Sequence, residues 1–385
     1  MIQITDKSQC CGCTACASIC AHQAITMKPD ALGFLYPIVD VNKCTDCGLC
    51  EKVCSFHSDY DKSFNLQEPD VYAARHKKME EIERSRSGAM FVAVSDWVLA
   101  QGGVVYGAGY MDHFRVTHKR ATTCEERDEF RGSKYVQSDL NDVFLQVSKD
   151  LKDGMLVLFT GTPCQTSGLR SFLNLKRVKT EKLYLVDIVC HGVPSPHYWR
   201  DYLAYIEKIQ QKKVISVNFR DKSKLGWAAH KESFTFDDGV TYTYTYTFYQ
   251  HIMFRRSCGE CHFTNLQRPS DLTLADFWGW QKVDASFNAD DKGVSLVLIN
   301  TPKGQELFDA IKLQINYIET DTSKCLQPNL QFPTDIHPMR ESFENDYQKH
   351  GFVYVAKKYG DLGWRYKMRR LKQKCKTAIR LLIGK

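Results

Sequence analysis

An α+β module at the amino end, followed by a mixed α/β body with a strand-rich C-terminal part, is the architecture that the sequence predicts. Three observations predict it. Eight cysteines in two identical runs fall between Cys10 and Cys54. From Val71 to Val189, strand-length apolar stretches alternate with helix-length ones, as helices layered on a partly parallel sheet require. From Val214 the texture changes to strand-length runs, among them Glu232 to Phe236 and the Thr/Tyr run Val240 to Phe248. The period of two in that last run suits a hairpin strand with one wet face.

Taken in order, the first cysteine run is Cys10, Cys13, Cys16 and Cys20, and the second is Cys44, Cys47, Cys50 and Cys54. Each reads C-x2-C-x2-C-x3-C, in which three thiolates wrap one iron-sulfur cubane while the displaced fourth ligates the neighbouring cluster. The spacing therefore predicts a ferredoxin-type domain with two [4Fe-4S] clusters. One would be held by Cys10, Cys13, Cys16 and Cys54, the other by Cys44, Cys47, Cys50 and Cys20. Between the runs, Ala24-Ile-Thr-Met and Phe34-Leu-Tyr-Pro-Ile-Val flank Asp30-Ala-Leu-Gly, which reads as two short strands and a turn. Structural zinc suits four thiolates too, but its ligands more often come as separated C-x2-C pairs. The proline that usually follows the fourth cysteine is replaced by Ala21 and Ser55, and Cys11 has no slot in the pattern.

Domain boundaries follow from composition: the cluster domain over 1–58, a polar linker over 59–70, the body in two parts over 71–160 and 161–335, and a basic tail over 336–385. In the body, Val71 to Arg75, Gly103 to Met111, Met155 to Phe159 and Leu183 to Val189 read as strands, with helices at Met90 to Leu99 and Val143 to Leu151. At 385 residues and 43% hydrophobic content the chain can bury real cores. Met1 to Gln9 shows no secretory pattern. The run Met90 to Ala100, interrupted by Ser95 and Asp96, falls short of the roughly 18 apolar residues of a membrane span. A cytoplasmic location is expected, in keeping with sixteen cysteines that serve as metal ligands or redox groups and not as disulfides.

The net charge of +7 sits in the tail: residues 357–385 hold eleven of the 52 basic residues and one of the 45 acids, which leaves the rest at −3. No nucleic-acid partner is expected from such a body. In the tail, Trp364, Met368, Leu371, Cys375, Ile379 and Leu382 recur at helical spacing. Such a helix fits contact with an anionic membrane surface at its inner face, or docking on the body or a partner.

Four more cysteines stand in distinctive settings: Cys164 in Gly161-Thr-Pro-Cys-Gln, Cys190 in Cys-His-Gly-Val-Pro, and the pair Cys258 and Cys261. Cys164 and Cys190 each follow a predicted strand, at the sheet edge where ligands collect. Four thiols in three loops match the ligand count of a third [4Fe-4S] cluster; a reactive dithiol or buried structural thiols are the alternatives.

Ser85-Arg-Ser-Gly-Ala, Arg131-Gly-Ser-Lys-Tyr, Gly161-Thr-Pro-Cys-Gln, Cys190-His-Gly-Val-Pro, Phe219-Arg-Asp-Lys, Cys258-Gly-Glu-Cys and Asp276-Phe-Trp-Gly occur in this order. The ordered set, within a match from about residue 10 to about residue 335, resembles the coenzyme F420 hydrogenase/dehydrogenase beta-subunit family. The resemblance implies an FAD-binding body that moves electrons between iron-sulfur clusters and a two-electron acceptor, often a deazaflavin. The fused front resembles a bacterial branch associated with exopolysaccharide biosynthesis.

Flavin also follows from the chemistry, because clusters pass single electrons and most organic acceptors take pairs. Gly103-Val-Val-Tyr-Gly107-Ala-Gly109 is not a dinucleotide fingerprint, and there is no Walker loop. The expected FAD contacts are Ser87, Gly88 and Ala89, whose amides open a helix, and Gly132, Ser133, Lys134 and Tyr135. Lys134 is a catalytic candidate that would stabilise a reduced, anionic flavin. His191 is the other, as a proton donor or a hydrogen-bond partner of a ligand. Taken singly, these residues are ordinary turn glycines and a surface lysine.

The predicted function is an iron-sulfur flavoprotein oxidoreductase that works with ferredoxin or another redox partner and a small-molecule acceptor. Two alternatives are a non-catalytic relay subunit that serves a partner enzyme, and a scaffold with structural metal.

Overall fold

The computed structural model describes residues 1–56, 59–223, 226–228, 231–243, 246–360, 362–364 and 368. The first two strands, β1 (Ile25–Pro29) and β2 (Leu35–Val39), form an antiparallel pair beside the short helices Ala15–Ile19 and Leu49–Lys52. The backbone repeats itself here. Gly12 (φ 73) and Asp46 (φ 50) precede the second cysteine of each run, and Thr14 (φ 63) and Gly48 (φ 74) follow it. Left-handed residues at matching places turn both cysteine loops the same way, and Thr14 and Asp46 hold that conformation without glycine's freedom.

The body is one mixed sheet made of β3 (Asp70–His76), β4 (Val104–Met111), β5 (Arg115–Ala121), β6 (Val157–Gly161), β7 (Leu183–Ile188), β11 (Leu272–Asp276), β12 (Ser295–Ile299) and β13 (Ile315–Thr320). Its order is β13-β3-β12-β11-β7-β6-β4-β5. The central β4, β6, β7 and β11 run parallel, and antiparallel strands flank them on both sides. A second sheet is formed by β8 (Ser216–Asn218), β9 (Glu232–Phe236) and β10 (Gly239–Thr243). The parallel strands therefore end on one edge, and Thr162, Val189 and Phe277 are the first residues beyond β6, β7 and β11 there.

Alternation sorts the two faces, as a pleat of period two requires. Val105, Leu158, Tyr184 and Val186 pack under the helices Met90–Ala100 and Pro302–Ile311. Val104, Tyr106, Val157, Phe159, Leu183 and Leu185 pack under Val143–Lys152 and Pro163–Leu175. That second core is continuous with Cys13, Ala15, Cys16, Ile19, Cys50 and Val53 of the amino-terminal module.

The module is thus seated on the body and shares its core. At Gly168 the helix Pro163–Leu175 approaches it so closely that a Cβ would stand 2.9 Å from both Cβ and Sγ of Cys13. The turn between β1 and β2 docks on the start of the helix Pro196–Gln210. There Leu32 O accepts from Ser195 Oγ at 2.6 Å and from His197 N at 3.1 Å.

Two expectations are corrected. The stretch 59–70 is tied down: Tyr60 is buried, its hydroxyl donates to Gln267 O at 2.5 Å, and Leu66 N donates to Asn300 O at 2.7 Å. The expected strand from Val240 to Phe248 ends at Thr243, and Tyr246–Tyr249 is helical. Aromatic contacts of Phe248 with Tyr135 and Phe254 draw that turn inward and override the local pattern. The tail forms a helix over Arg340–Lys358 that breaks at Gly351 (φ 74). Of the basic amphipathic stretch beyond it, residues 365–367 and 369–385 lie outside the described residues.

Candidate redox site

Three groups of residues converge on the sheet edge where the parallel strands end. The first is the amino-terminal cysteines. Cys16 stands within electrostatic reach of Cys13, Cys10 and Cys54, and burial raises its pKa well above the thiol range. Burial likewise pushes Cys54 up to about 11, with Cys13 and Cys10 adding to it. These are the four cysteines that the crossed pattern assigns to one cluster. Of the other quartet, Cys50 Sγ accepts from Ile2 N at 3.3 Å, Cys20 Sγ from Ala24 N at 3.3 Å and Cys44 Sγ from Asp46 N at 3.4 Å, while Cys47 is exposed. Backbone N–H groups aimed at cysteine sulfur are donors that stabilise a metal-bound thiolate.

The second group lines a cavity where Cys164, Cys190, Cys258 and Cys261 meet Cys11, Thr162 and Arg255. Cys164 arrives in the first turn of Pro163–Leu175, behind Thr162, whose N–H donates to Gln165 Oε1 at 2.9 Å. The loop after β7 brings Cys190, and Gly192 N donates back to its sulfur at 3.4 Å. A bridge between Pro194 and Phe254 and the bond from Arg255 N to Val193 O at 3.0 Å hold that loop against the segment carrying Cys258 and Cys261. Val193 N in turn donates to Cys258 Sγ at 3.4 Å.

Burial pushes Cys258 up to about 12 and Cys261 up to about 11, and it raises Cys190 well above the ordinary thiol value. Cys164 is lowered instead, first by the hydrogen bond from Cys11 and then by Thr162. Four half-buried cysteines around one space, with amide and hydroxyl donors on three of them, suit a thiolate-ligated cluster, whose binding displaces the protons that desolvation favours.

The third group was only partly anticipated. Arg86, Arg220 and Lys222, all from the motifs quoted above, surround the carboxylate of Asp276 at the end of β11. Arg220 Nη1 donates to Asp276 Oδ2 at 2.5 Å, Arg86 Nε stands 3.9 Å from the same oxygen, and Trp227 Nε1 donates to Asp276 Oδ1 at 3.3 Å. Trp227 stacks on Trp278 at 4.6 Å. Lys222 Nζ donates to Ile82 O at 2.7 Å and Lys292 O at 2.5 Å, and burial pulls its pKa down to about 7. Burial, followed by Arg220, pulls Arg86 down to about 10.

Arg86 Nε and Arg220 Nε and Nη2 are buried without hydrogen-bond partners. Unpaired buried guanidinium donors are costly, so this group favours an added anionic ligand. His191 lies between this group and the cavity. Its backbone follows Cys190, and although the residue as a whole is exposed, partial desolvation of the ring, then His251 and Arg220, lowers its pKa against the opposing pull of Asp276.

The flavin residues expected from sequence do not all face this place. The Ser87 hydroxyl donates to Val294 O at 2.6 Å, and Gly88 N donates to Ser295 Oγ at 2.9 Å. A Cβ on Gly88 would stand 2.2 Å from Ala74 O. Ser87 and Gly88 therefore close a seam between strands and leave no room for a pyrophosphate, while the buried Ala89 (φ 64) caps the helix Met90–Ala100. Gly132 and Ser133 are exposed.

Lys134 is turned into its own loop, donating to Glu129 O at 2.6 Å, Arg131 O at 3.2 Å and Gly132 O at 3.4 Å. With its ammonium spent on carbonyls, it is a loop staple and not a free charge near a flavin. Only Tyr135 meets the third group. Its hydroxyl accepts from Arg220 Nη1 at 3.4 Å, and its ring lines a second cavity with Trp199, Phe219, Phe248 and Met253. Sequence reasoning missed Cys11, Arg255, Arg86 and Arg220. The last two lay inside quoted motifs, whereas Cys11 and Arg255 carry no local signal beyond adjacency to ligand-type cysteines.

A family model described as the C terminus of the beta subunit of coenzyme F420 hydrogenase/dehydrogenase matches residues 154–324, and one described as a 4Fe-4S dicluster domain matches residues 9–58. No curated protein matches the chain. Among solved structures, a chain of the F420-reducing [NiFe] hydrogenase complex from Methanosarcina barkeri is similar at 17% identity and a TM-score of 0.47, covering 78% of this chain and 96% of that one. Residues 154–324 are thus similar to the C terminus of the coenzyme F420 hydrogenase/dehydrogenase beta subunit, and the amino end carries a 4Fe-4S dicluster domain.

Proposed function

We propose that this iron-sulfur oxidoreductase is a flavoprotein with three clusters, in which electrons received from ferredoxin or another redox partner reach FAD and leave in pairs to a small-molecule acceptor. One observation carries the reading: Cys164, Cys190, Cys258 and Cys261 line a single cavity together with Cys11, which hydrogen-bonds Cys13 of the first quartet. Clusters would supply one-electron steps there, and the flavin would convert them to the two-electron steps of an organic acceptor.

The chain's own residues divide the remaining work. Cys10, Cys13, Cys16 and Cys54, and Cys20, Cys44, Cys47 and Cys50, hold the amino-terminal pair of clusters. Cys164, Cys190, Cys258 and Cys261 hold the third. Arg86 and Arg220 offer their unpaired N–H groups to the anionic part of the flavin nucleotide. Tyr135, stacked on Phe248 at 4.6 Å, supplies an aromatic wall beside them. His191, whose lowered pKa favours the neutral ring, would hold a proton beside the cavity and Asp276.

An exopolysaccharide pathway, a deazaflavin as acceptor and a cytoplasmic place with the tail at the membrane surface rest on motif resemblance and the basic tail. Among the described residues no helix is long and apolar enough to cross a membrane.

Anaerobic purification with iron, sulfide and flavin quantitation tests the proposal. About twelve irons and one FAD per chain are expected. About eight irons without flavin would overturn both the third cluster and the flavin. Reoxidation of the reduced flavin by a small molecule in the absence of any partner protein separates an enzyme from a relay subunit.

A further inference from the structure

Arg255 stands between the first cysteine quartet and the thiol-lined cavity. Its side chain is 1% exposed. Nε donates to Cys10 O at 2.7 Å, Nη1 to Gln137 Oε1 at 3.0 Å, and Nη2 to Leu35 O at 2.9 Å and Cys10 Sγ at 3.5 Å. Every one of these partners is formally neutral, and among the described residues no carboxylate forms an ion pair with Arg255. Its guanidinium carbon lies 4.2 Å from the centre of the Tyr36 ring.

Room has been made for it: a Cβ on Gly12 would stand 2.7 Å from Nη1, so the residue between Cys11 and Cys13 carries no side chain. The same guanidinium lines the cavity of Cys164, Cys190, Cys258 and Cys261. Gln137, which accepts from Arg255, also donates from Nε2 to Cys11 O at 2.9 Å and so fixes the guanidinium and the Cys11 loop together. A guanidinium cannot shed its proton, and a buried one without a counter-charge is strongly disfavoured. The missing counter-charge is of the kind that a thiolate-ligated cluster supplies, and clusters of that kind are expected on both sides of this side chain.

We propose that Arg255 is a shared counter-cation for two clusters, the one on Cys10, Cys13, Cys16 and Cys54 and the one in the cavity of the body, and that it raises the reduction potentials of both together. The inference rests on the third-cluster reading above. Reduction adds a negative charge to a cluster, so a fixed cation close by stabilises the reduced form over the oxidised one. Because one charge serves both sites, their potentials stay matched. One electron then passes from the reduced cluster to the oxidised one, with no proton moved and no bond broken. The cluster on Cys20, Cys44, Cys47 and Cys50 has no contact with Arg255 and provides an internal control.

The test is a redox titration, followed by electron paramagnetic resonance, of the full-length chain purified anaerobically with its clusters, compared with R255Q and R255K. In R255Q both potentials are expected to fall by at least tenfold in the reduction equilibrium, about 59 mV for one electron, while the third signal stays in place. R255K, which keeps the charge, should retain most of the wild-type values. A fall in only one potential, equal falls in all three, or a loss in R255K as large as in R255Q would overturn the proposal.

If R255Q does not assemble its clusters, the wild-type titration decides. The first cluster must then titrate with that of the body, and titration alongside the exposed one would refute the shared cation. About eight irons in the wild type would remove the third cluster and this inference with it. About twelve irons with a single potential moving would remove only the inference.

Discussion

The geometry at Gly168 can be tested by filling the space that it leaves. Gly168→Val would place a branched side chain where even a Cβ stands 2.9 Å from two atoms of Cys13, closer than real contacts come. Helix propensity works the other way, since valine in a helix interior is better than glycine by a few tenths of a kcal/mol. Overpacking a close-packed site costs about 1–3 kcal/mol. The upper end applies here, because Cys13 lies in a loop set by Gly12 and Thr14, both left-handed, and a ligated sulfur cannot retreat.

The contact term therefore wins, and Gly168→Val should destabilise the chain by about 2–3 kcal/mol. Urea unfolding of the cluster-loaded protein under anaerobic conditions would read this as a lower midpoint with an unchanged slope. The spectrum of the cluster nearest Cys13 should shift while that of the exposed one does not. An unchanged midpoint with an unchanged spectrum would mean that the module does not sit on the helix Pro163–Leu175 as described, and the path from module to cavity would go with it.

Two further outcomes are expected. Arg268 and Asp187 form a fully buried ion pair at 3.2 Å, 1% and 0% exposed. Arg268→Leu strands the carboxylate and should cost about 3–5 kcal/mol in urea unfolding, while R268L combined with D187L should cost less than the sum of the two single variants. Lys222 is held at about 7 in the fold against an ordinary lysine value of 10.5. Between those values the unfolded chain binds the extra proton, so stability should rise with pH from about 7 to about 10 and the penalty should be complete below 7. The full span is at most about 4–5 kcal/mol. Lys222→Met should flatten that rise in unfolding midpoints measured from pH 6.5 to 9.5, and an unchanged slope would show that Lys222 is charged throughout.

What could be read from the sequence was whatever the chain encodes over short intervals. The two cysteine runs repeat at fixed spacing, and the pairs of left-handed residues at 12 and 46 and at 14 and 48 are the backbone form of that repeat. The strands at Val71, Gly103, Met155 and Leu183 were legible because alternate residues face different cores, which leaves a period of two in each. The Thr/Tyr run misled because its period is that of a strand, while its end is drawn into a helical turn by aromatic contacts with partners more than a hundred residues upstream and a few residues downstream. The flavin expectation at Ser87 and Gly88 misled differently. Small residues before a helix suit an anion, but they equally suit a strand passing at 2.2 Å from the position of a Cβ, and only the fold distinguishes the two.

The cationic residues show where local reading ends. Arg255 bonds to Cys10 and Leu35 across more than two hundred residues, and Arg220 meets Asp276 and Tyr135 across 56 and 85. No pattern in a window of sequence marks such a residue, because an arginine beside a cysteine is usually a solvated surface charge. What marks it is an imbalance that appears only after folding: guanidinium groups buried with neutral partners or with N–H groups unpaired, beside sulfurs or at the ends of parallel strands. A folded chain keeps such groups only if something anionic completes them. The same edge of the sheet gathers the cysteine sulfurs that a cluster needs and the cations that a cluster and an anionic cofactor would neutralise. The charge balance of the fold therefore points to the same chemistry as the cysteine spacing, from different residues and by a separate physical route.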